Sequence, residues 1–277
     1  MEFTIEIFLI SIIAGGMGAL LGLGGGMILS PALTILFGID IKYAIGASLI
    51  SVIATSTGSA IAYIKENITN VRIGMFLEMA TTIGAIVGAL LAGVIPEEFL
   101  YIIFGALLVY SAINMIKNRK GSVDNTIEED PLAERFSLSG EFYDKASNET
   151  IYYKGKKVKQ GFSIMVGAGV ASGLLGIGSG SFKVIAMDTF MKLPLKVSSA
   201  TSNFMMGVTA AASATIYFFR GDIHPLIAGP VALGVLCGSF LGARLMQRMK
   251  TRTLRLIFIP IIVYMAIEMI LKGMGVI

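Results

Sequence analysis

Long apolar segments constrain the fold of this chain more than any other feature of its sequence. Eight of them lie near residues 4–22, 43–64, 73–94, 98–116, 161–177, 197–219, 225–247 and 254–272. Most are long enough to cross roughly 30 Å of hydrocarbon as helices that rise about 1.5 Å per residue. With 55% hydrophobic and 14% charged residues, the composition is that of an integral membrane protein. We therefore expect an all-α protein that crosses the cytoplasmic membrane several times.

A glycine-rich stretch, GALLGLGGGMILSP at residues 18–31, interrupts the first apolar segment. Glycine in a helix interior costs up to about 1 kcal/mol relative to alanine, so this cluster indicates a break in the helix. The apolar piece that follows it, near 27–37, is too short to cross a membrane alone. A second short piece, near 181–191, follows another glycine-rich stretch.

The chain contains an internal repeat with an offset of 154 residues. LLGLGGG at 20–26 aligns with LLGIGSG at 174–180, and 22 of the 91 positions from 20 to 110 are identical to their counterparts. Apolar composition alone gives roughly half as many identities. We interpret the chain as two copies of one unit, residues 1–117 and 161–277, separated by a polar insert at 118–160. Within the insert, EFYDKASNETIYYKGKKV predicts a small β-hairpin.

Equivalent turns of the two copies differ in charge. IPEEFL at 95–100 is acidic, whereas its counterpart, MKTRTL at 249–254, is strongly basic. Basic residues also flank the insert, and the positive-inside rule places it in the cytoplasm. Equivalent turns then face opposite sides of the membrane, so the two copies are inverted and both termini lie outside. On this topology the basic residues outside are Lys42, Arg220 and Lys272.

An inverted duplication requires an odd number of crossings in each copy. Each copy has three clear spanning helices and one glycine-broken pair, so we expect that pair to make no net crossing. The pair is predicted to be a re-entrant or broken hairpin with the glycines at its tip. Irregular backbone inside a membrane is tolerated only where it is buried in protein or lines a water-filled cavity. The two tips are expected to meet near the midplane.

The tips carry features of an anion site. The N-terminus of a helix presents unsatisfied N–H groups and the positive end of the helix dipole. The predicted substrate-binding residues at the tips are Gly24, Gly25, Gly26, Met27, Gly178, Ser179, Gly180 and Ser181. Close helix packing is the alternative reading of small residues, and it accounts well for Gly84, Gly88, Gly238 and Gly242. On that basis Gly88→Ala is expected to be milder than Gly25→Val or Gly26→Val, which should abolish transport but not insertion.

Polar side chains on the helices that begin near 44 and 198 are the predicted lining of the site. They are Ser48, Thr201, Ser202 and Asn203. For each of them, an interhelical hydrogen bond is an equally good interpretation.

Two charged residues fall within apolar segments. Glu78 is a candidate for proton coupling, because intramembrane carboxylates often carry protons; alternatively, it pairs with Arg72 at the cytoplasmic interface. Lys183, three positions after Gly180, is predicted to hold the anion. Its alternatives are a pair with Asp188 or a side chain that extends to the cytoplasmic face.

Several function classes are not indicated. The lone Cys237 excludes an internal disulfide, and one His with scattered carboxylates builds no metal site of the usual type. The glycine spacing fails the dinucleotide fingerprint at Met27 and Ser181, and no strand precedes either stretch. We expect no cofactor, no nucleic-acid partner and no enzyme activity. The lipid bilayer and a small anion are the expected partners, and the sequence leaves a homo-oligomer open.

The paired glycine motifs, about eight membrane segments and a polar central loop resemble the sulfite exporter TauE/SafE family of membrane transporters. The resemblance covers the chain except the insert, and it implies transport of sulfite or a small organosulfonate, commonly as export. The second copy departs from the first at Ser179, Ser181 and Ile185, so the two half-sites need not bind alike. An anion channel and a non-catalytic membrane subunit of a partner complex are the alternative functions.

Overall fold

The computed structural model describes residues 2–22, 24–117, 130–144, 148–246 and 251–276. The first copy forms α1 (Glu2–Leu21), α2 (Gly26–Leu36), α3 (Ile41–Lys65), α4 (Val71–Ala92) and α5 (Glu97–Lys117). The insert forms α6 (Pro131–Arg135), β1 (Gly140–Asp144) and β2 (Glu149–Tyr153). The second copy forms α7 (Val158–Leu175), α8 (Gly180–Ile185), α9 (Leu195–Arg220), α10 (Pro225–Met246) and α11 (Thr251–Gly273), with a π-helical turn, Ala186–Phe190, after α8.

Each long apolar segment of the sequence forms a helix, as predicted. In the part of the chain that the structure describes, α3, α4, α7 and residues Pro225–Leu245 of α10 are long and apolar enough to cross a membrane. Two shorter apolar helices, Thr4–Leu20 and Gly26–Leu36, lie on either side of the first glycine stretch. The protein is therefore a mostly helical, multi-pass membrane protein.

The most extensive helix contacts join one copy to the other. Helix α1 packs against α10, and its counterpart α7 packs against α4. Glycines allow the backbones to touch: a Cβ at Gly238 would overlap the carbonyl of Ile12, and one at Gly84 would overlap the carbonyl of Val166. These two contacts are counterparts, 154 positions apart. The close-packing interpretation of Gly84 and Gly238 is therefore confirmed.

Helices α3 and α9 form the centre of the bundle. They pack against each other, and each also packs against a helix of the other copy, α3 against α10 and α9 against α4. Helices α5 and α11 pack together as a further pair. Every helix of one copy thus has its main neighbours arranged as those of its counterpart in the other copy.

The predicted β-hairpin of the insert is confirmed. Strands β1 and β2 are antiparallel, with Gly140 opposite Tyr153 and Asp144 opposite Glu149. The phenol oxygen of Tyr153 accepts a hydrogen bond from the Asn70 amide at 3.1 Å, and burial raises the pKa of this phenol. Asp144 forms an ion pair with Lys196 at 2.6 Å. The hairpin is therefore fixed to the residue before α4 and to the first turn of α9.

The same end of the bundle also holds α6. One carboxylate oxygen of Asp130 accepts the N–H of Leu132 at 2.9 Å and caps α6, while the other accepts the N–H of Val158 at 2.8 Å. A cavity of about 370 Å³ lies where the insert meets α4, and it is lined by Arg72 and Lys154 among others. This end, which we call the insert end, is rich in basic side chains.

The opposite end of the bundle holds the three basic residues that the sequence places apart from the others. Lys42 pairs with Glu97 at 2.8 Å, and Arg220 pairs with Asp222. The ammonium of Lys272 donates to the carbonyl of Thr34 at 2.8 Å. Because α3 begins beside Lys42 and runs for 25 residues to the insert end, these three residues lie a full helix length from the insert.

Candidate functional site

The two glycine segments, residues 22–26 and 176–180, meet in the interior of the bundle. A Cβ at Gly24 would lie 3.4 Å from Val52 and 3.0 Å from the sulfur of Met206. A Cβ at Gly178 would lie 2.6 Å from Val52 and 3.2 Å from the same sulfur. Val52 and Met206 are themselves 154 positions apart. Equivalent points of the two copies therefore converge on an equivalent pair of side chains.

The backbone of both segments turns through the left-handed region. The φ angles are +68° at Gly22 and +77° at Gly24, and +65° and +69° at Gly176 and Gly178. A residue with a Cβ is strained at such angles, which explains glycine at these positions. The turn ends α1 at Leu21 and α7 at Leu175, and α2 and α8 each begin five residues later. The helix breaks predicted from the glycines are therefore present in both copies.

Two serines connect the segments to the central helices of the opposite copy. Ser48 on α3 donates to the carbonyl of Gly176 at 2.6 Å. Its counterpart, Ser202 on α9, donates to the carbonyl of Gly22 at 2.8 Å and lies 3.3 Å from that of Gly180. Each hydroxyl thus satisfies a carbonyl that the broken helix leaves without an intrahelical donor. Of the two interpretations of Ser48 and Ser202, interhelical hydrogen bonding is the one that the geometry displays.

The N-terminus of α2 is held by a threonine. The N–H of Gly25 donates to Thr55 Oγ1 at 3.2 Å, and Gly26 begins the helix. Met27 is fully buried one residue later. A Cβ at Gly26 would lie 2.7 Å from the carbonyl of Gly176 and would overlap the hydroxyl of Ser48. Gly26 is therefore a point of direct contact between the copies.

Two buried polar atoms beside the segments lack a hydrogen-bond partner in the described part of the chain. One is Oγ of Ser179, which precedes α8 at φ +51°. The other is Oδ1 of Asn203, whose amide nitrogen donates to the carbonyls of Ala19 and Ser199, each at 3.1 Å. Buried acceptors without donors are uncommon in folded proteins. Each of these two atoms can therefore form a further hydrogen bond beside the glycine segments.

A buried ion pair lies one helical turn from the second segment. Lys183 Nζ lies 3.2 Å from Glu78 Oε2, and the lysine side chain is fully buried. Thr209 Oγ1 lies 2.5 Å from both partners: it accepts from Lys183 and donates to Glu78. Thr81 and Thr82 donate to the same carboxylate at 2.8 and 3.2 Å. We call these five residues the charged cluster.

The charged cluster corrects one interpretation from the sequence. The alternative placement of Glu78, paired with Arg72 at the cytoplasmic interface, is wrong: the Glu78 carboxylate faces Lys183, whereas Arg72 is exposed at the insert end. Lys183 is also fully buried, so its side chain does not extend to the cytoplasmic face. Helix α4 packs against α9, and this packing turns Glu78 towards the bundle interior.

The remaining predicted site residues have different surroundings. Thr201 lies in the second turn of α9, where its hydroxyl accepts the N–H of Asn70 at 3.0 Å, so it connects α9 to the start of α4. Ser181 is described through its backbone alone, as the second residue of α8.

Sequence reasoning missed four residues that the structure places at the site. Val52 and Met206 lie against both glycine segments, Thr55 accepts a hydrogen bond from the start of α2, and Thr209 contacts the ion pair. Thr55 and Thr209 are identical counterparts, so the repeat alignment itself carried a signal for them. Val52 and Met206 differ from each other and carried no such signal.

Residues 7–269 match the family model described as Sulfite exporter TauE/SafE. The chain belongs to this family. It is 28% identical to Probable membrane transporter protein YunE of Bacillus subtilis over 280 residues, which cover 99% of each chain. A probable membrane transporter protein of Methanocaldococcus jannaschii is 26% identical over 96% of this chain and 94% of its own length.

The TauE/SafE relationship extends over the insert as well as the two copies. Probable membrane transporter protein YdhB of Bacillus subtilis, for example, is 26% identical over 92% of this chain and 94% of its own length. No solved structure matches the chain. Family and relatives are named as membrane transporters, and the predicted family resemblance is confirmed.

Proposed function

We propose that this protein is a secondary transporter that moves a small sulfur-containing anion, of sulfite or organosulfonate type, across the cytoplasmic membrane by alternating access, with export as the net direction. The observation that carries the proposal is the meeting of the two glycine segments one helical turn from a fully buried lysine, Lys183. The description of the family as a sulfite exporter supports the substrate class.

The proposed binding site lies between the glycine segments. Helix α2 directs its N-terminus towards this point, and the positive end of a helix dipole favours an anion. The unpartnered Ser179 Oγ can donate a hydrogen bond to an oxyanion once its proton rotates towards it. The ammonium of Lys183 supplies the positive charge. Residues proposed to contact or position the anion are Gly24, Gly25, Gly26, Met27, Ser48, Gly178, Ser179, Gly180, Ser181, Lys183, Ser202 and Asn203, with Thr201 at the cytoplasmic mouth.

The proposed orientation places the insert in the cytoplasm. The insert end carries the exposed basic side chains of Arg72, Lys154 and Lys159, whereas Lys42, Arg220 and Lys272 lie at the other end. This asymmetry agrees with the positive-inside rule. The recurrence of helix contacts at an offset of 154 residues supports two inverted copies. Each broken pair, α1 with α2 and α7 with α8, then forms a hairpin whose tip is a glycine segment.

Transport by purified protein in proteoliposomes tests the proposal. We expect saturable movement of radiolabelled sulfite and competition by thiosulfate or a small sulfonate. Thermal unfolding in detergent should shift upward with the same anions, because a ligand that binds only the folded state stabilises it. Conductance that rises linearly with sulfite concentration would indicate a channel instead. Absence of both flux and thermal shift with every sulfur oxyanion would overturn the proposal.

A further inference from the structure

Over the residues that the structure describes, the buried interior of the bundle contains one positive and one negative side chain. Among the buried residues of the described chain, Lys183 and Glu78 are the charged ones. Their ion pair leaves the interior with a net charge of zero. A single uncompensated charge in a membrane interior is strongly unfavourable, whereas a hydrogen-bonded pair is tolerated. Any ligand that enters with a charge must therefore be compensated by a second change.

The hydrogen bonds around Glu78 suit both a charged and a neutral carboxyl group. Its ionised carboxylate accepts from the hydroxyls of Thr81, Thr82 and Thr209. A hydroxyl is both a donor and an acceptor, so each threonine can turn to accept a proton from a neutral carboxyl. Thr81 Oγ1 already lies 3.1 Å from the carbonyl of Glu78, which gives its proton another acceptor. The cluster can therefore accommodate a proton on Glu78 without leaving these hydroxyls unsatisfied.

Lys183 can exchange its counter-ion. An ammonium has three protons, and the described part of the chain provides acceptors for two of them, Glu78 and Thr209. The N–H of Lys183 donates to the carbonyl of Ser179 at 2.9 Å, so the lysine lies one turn from the unpartnered hydroxyl of that serine. An anion held at Ser179 would thus lie on the side of α8 that leads to the ammonium.

The charged cluster breaks the equivalence of the two copies. The counterpart of Lys183 is Leu29, and the counterpart of Glu78 is Ala232. Of the five residues of the charged cluster, only Thr209 has an identical counterpart, Thr55. Thr55 accepts the N–H of Gly25, whereas Thr209 contacts the ion pair. Both charges are present at one of two equivalent places and both are replaced by apolar residues at the other. In this chain the two charges are therefore present together at one position and absent together at the equivalent one.

We propose that Glu78 and Lys183 couple the anion to one proton. The proposal rests on the proposed function. On binding, a monovalent anion replaces the Glu78 carboxylate as counter-ion of Lys183, and Glu78 takes up one proton to become a neutral carboxyl. The proton comes from a hydronium ion: one O–H bond of the hydronium breaks and leaves a water molecule, one O–H bond forms at the carboxyl, and the net charge of the interior stays at zero. Release on the other side reverses both steps, so one proton and one anion move together without net charge.

Other ionisable groups on the surrounding elements have separate positions or partners. They are Arg72 on α4, Lys159 on α7, Asp188 after α8, and Lys196, Tyr217 and Arg220 on α9. Lys196 pairs with Asp144, Arg220 pairs with Asp222, and Tyr217 donates to the carbonyl of Gly173. Arg72 and Lys159 are exposed at the insert end, and Asp188 lies in the π-helical turn five positions beyond Lys183. Glu78 is the carboxylate that faces Lys183.

The decisive experiment measures sulfite and proton movement together in proteoliposomes. We expect one proton to accompany each monovalent anion, recorded with an internal pH dye, and a net flux that does not respond to a potassium diffusion potential. Glu78→Gln should lose net flux by at least tenfold but keep sulfite-for-sulfite exchange. In this variant the anion still neutralises Lys183, whereas the empty carrier holds an unpaired charge. Sulfite flux that follows the potential without protons would overturn the coupling and leave the proposed function intact.

Matched variants separate coupling from folding. Glu97→Gln removes a second lysine–glutamate pair, Lys42–Glu97, at the end of the bundle opposite the insert, and it should leave proton coupling unchanged. The double variant Glu78→Gln/Lys183→Met keeps the interior neutral; it should unfold near the wild-type temperature but bind sulfite at least tenfold more weakly. Wild-type sulfite affinity in that double variant would remove the cluster from the site.

Infrared difference spectra give a readout that does not depend on flux. Addition of sulfite to the detergent-solubilised wild type should produce the C=O stretch of a protonated carboxyl group, and this band should be absent from Glu78→Gln. A wild type that binds sulfite without such a band contradicts the proposal. A wild type that neither binds nor transports any sulfur oxyanion contradicts the proposed function itself.

Discussion

Ser48 and Ser202 make the same hydrogen bond in opposite directions across the molecule. Each donates from a central helix to the carbonyl of the glycine that ends a broken helix of the other copy, at 2.6 Å to Gly176 and 2.8 Å to Gly22. The serines are 154 positions apart, and so are the glycines. The two copies are thus held by a reciprocal pair of contacts, so each copy contributes equally to fixing the glycine segment of the other.

Removal of either hydroxyl should destabilise the protein to a similar extent. Ser48→Ala and Ser202→Ala each leave a buried carbonyl without its donor, which costs about 1–3 kcal/mol. We expect both variants to unfold at lower temperature in detergent by comparable amounts. Thr57→Ala is the control, because this exposed hydroxyl bonds only within its own helix, to Ile53. A large loss in one serine variant alone would mean that the two contacts are not energetically equivalent.

Two adjacent glycines should respond differently to a methyl group. A Cβ at Gly25 would lie 3.1 Å from Thr55 Oγ1, a contact that a small shift relieves, whereas one at Gly26 overlaps the Ser48 hydroxyl. Gly25→Ala is therefore expected to remain folded and to lose sulfite transport, because the methyl group stands at the start of α2. Gly26→Ala should instead lower the yield of folded protein. Size-exclusion chromatography and transport assays measure the two effects. Normal transport by Gly25→Ala would remove this residue from the site.

Gly88→Ala, which the sequence predicts to be milder than the valine substitutions at the glycine tips, should nevertheless destabilise the protein clearly. A Cβ at Gly88 would overlap the carbonyl of Val170 on α7, and backbone atoms of two packed helices cannot move aside cheaply. Overpacking of this kind costs about 1–3 kcal/mol, and more where the backbone must shift. Gly167→Ala on α7 is the matched control, since a Cβ there meets nothing within 4 Å. Thermal unfolding should separate the two variants clearly; equal midpoints would contradict the helix contact.

Cysteine labelling tests the orientation of the bundle. Glu141 on the hairpin and Gly275 after α11 are both exposed and lie at opposite ends. In a Cys237→Ala background, a cysteine at position 275 should react with a membrane-impermeant maleimide in intact cells. A cysteine at position 141 should react only after permeabilisation. Reaction of both positions from the same side would contradict the inverted topology.

Local features of the sequence predicted the helices, their breaks and the hairpin. The length of an apolar segment and the position of a glycine can both be recognised from neighbouring residues alone, and each determines local backbone structure. Gly22 and Gly176 illustrate this: each stands where the chain needs a positive φ, and each ends its helix in the structure. The same local reading found the paired strands β1 and β2.

The partner of Glu78 could not be found in this way. Sequence reasoning looks along one helix and therefore offered Arg72, six positions away, whereas the actual partner is 105 positions away. That pairing depends on how α4 packs against α9 and α8 approaches both, and no local pattern specifies it. The contact of Thr55 with Gly25 depends similarly on the fold of the chain back on itself after α2.

The packing of helices of one copy against helices of the other limits how the bundle can move. Helix α1 is held to α10, and α4 to α7, by glycines so close to the opposite backbone that neither pair can slide without a clash. A movement that opens one face of the bundle and closes the other must therefore move each helix pair as a rigid body. Each pair joins a helix of the first copy to a helix of the second, so the parts that move in the proposed alternating access do not coincide with the two copies of the repeat.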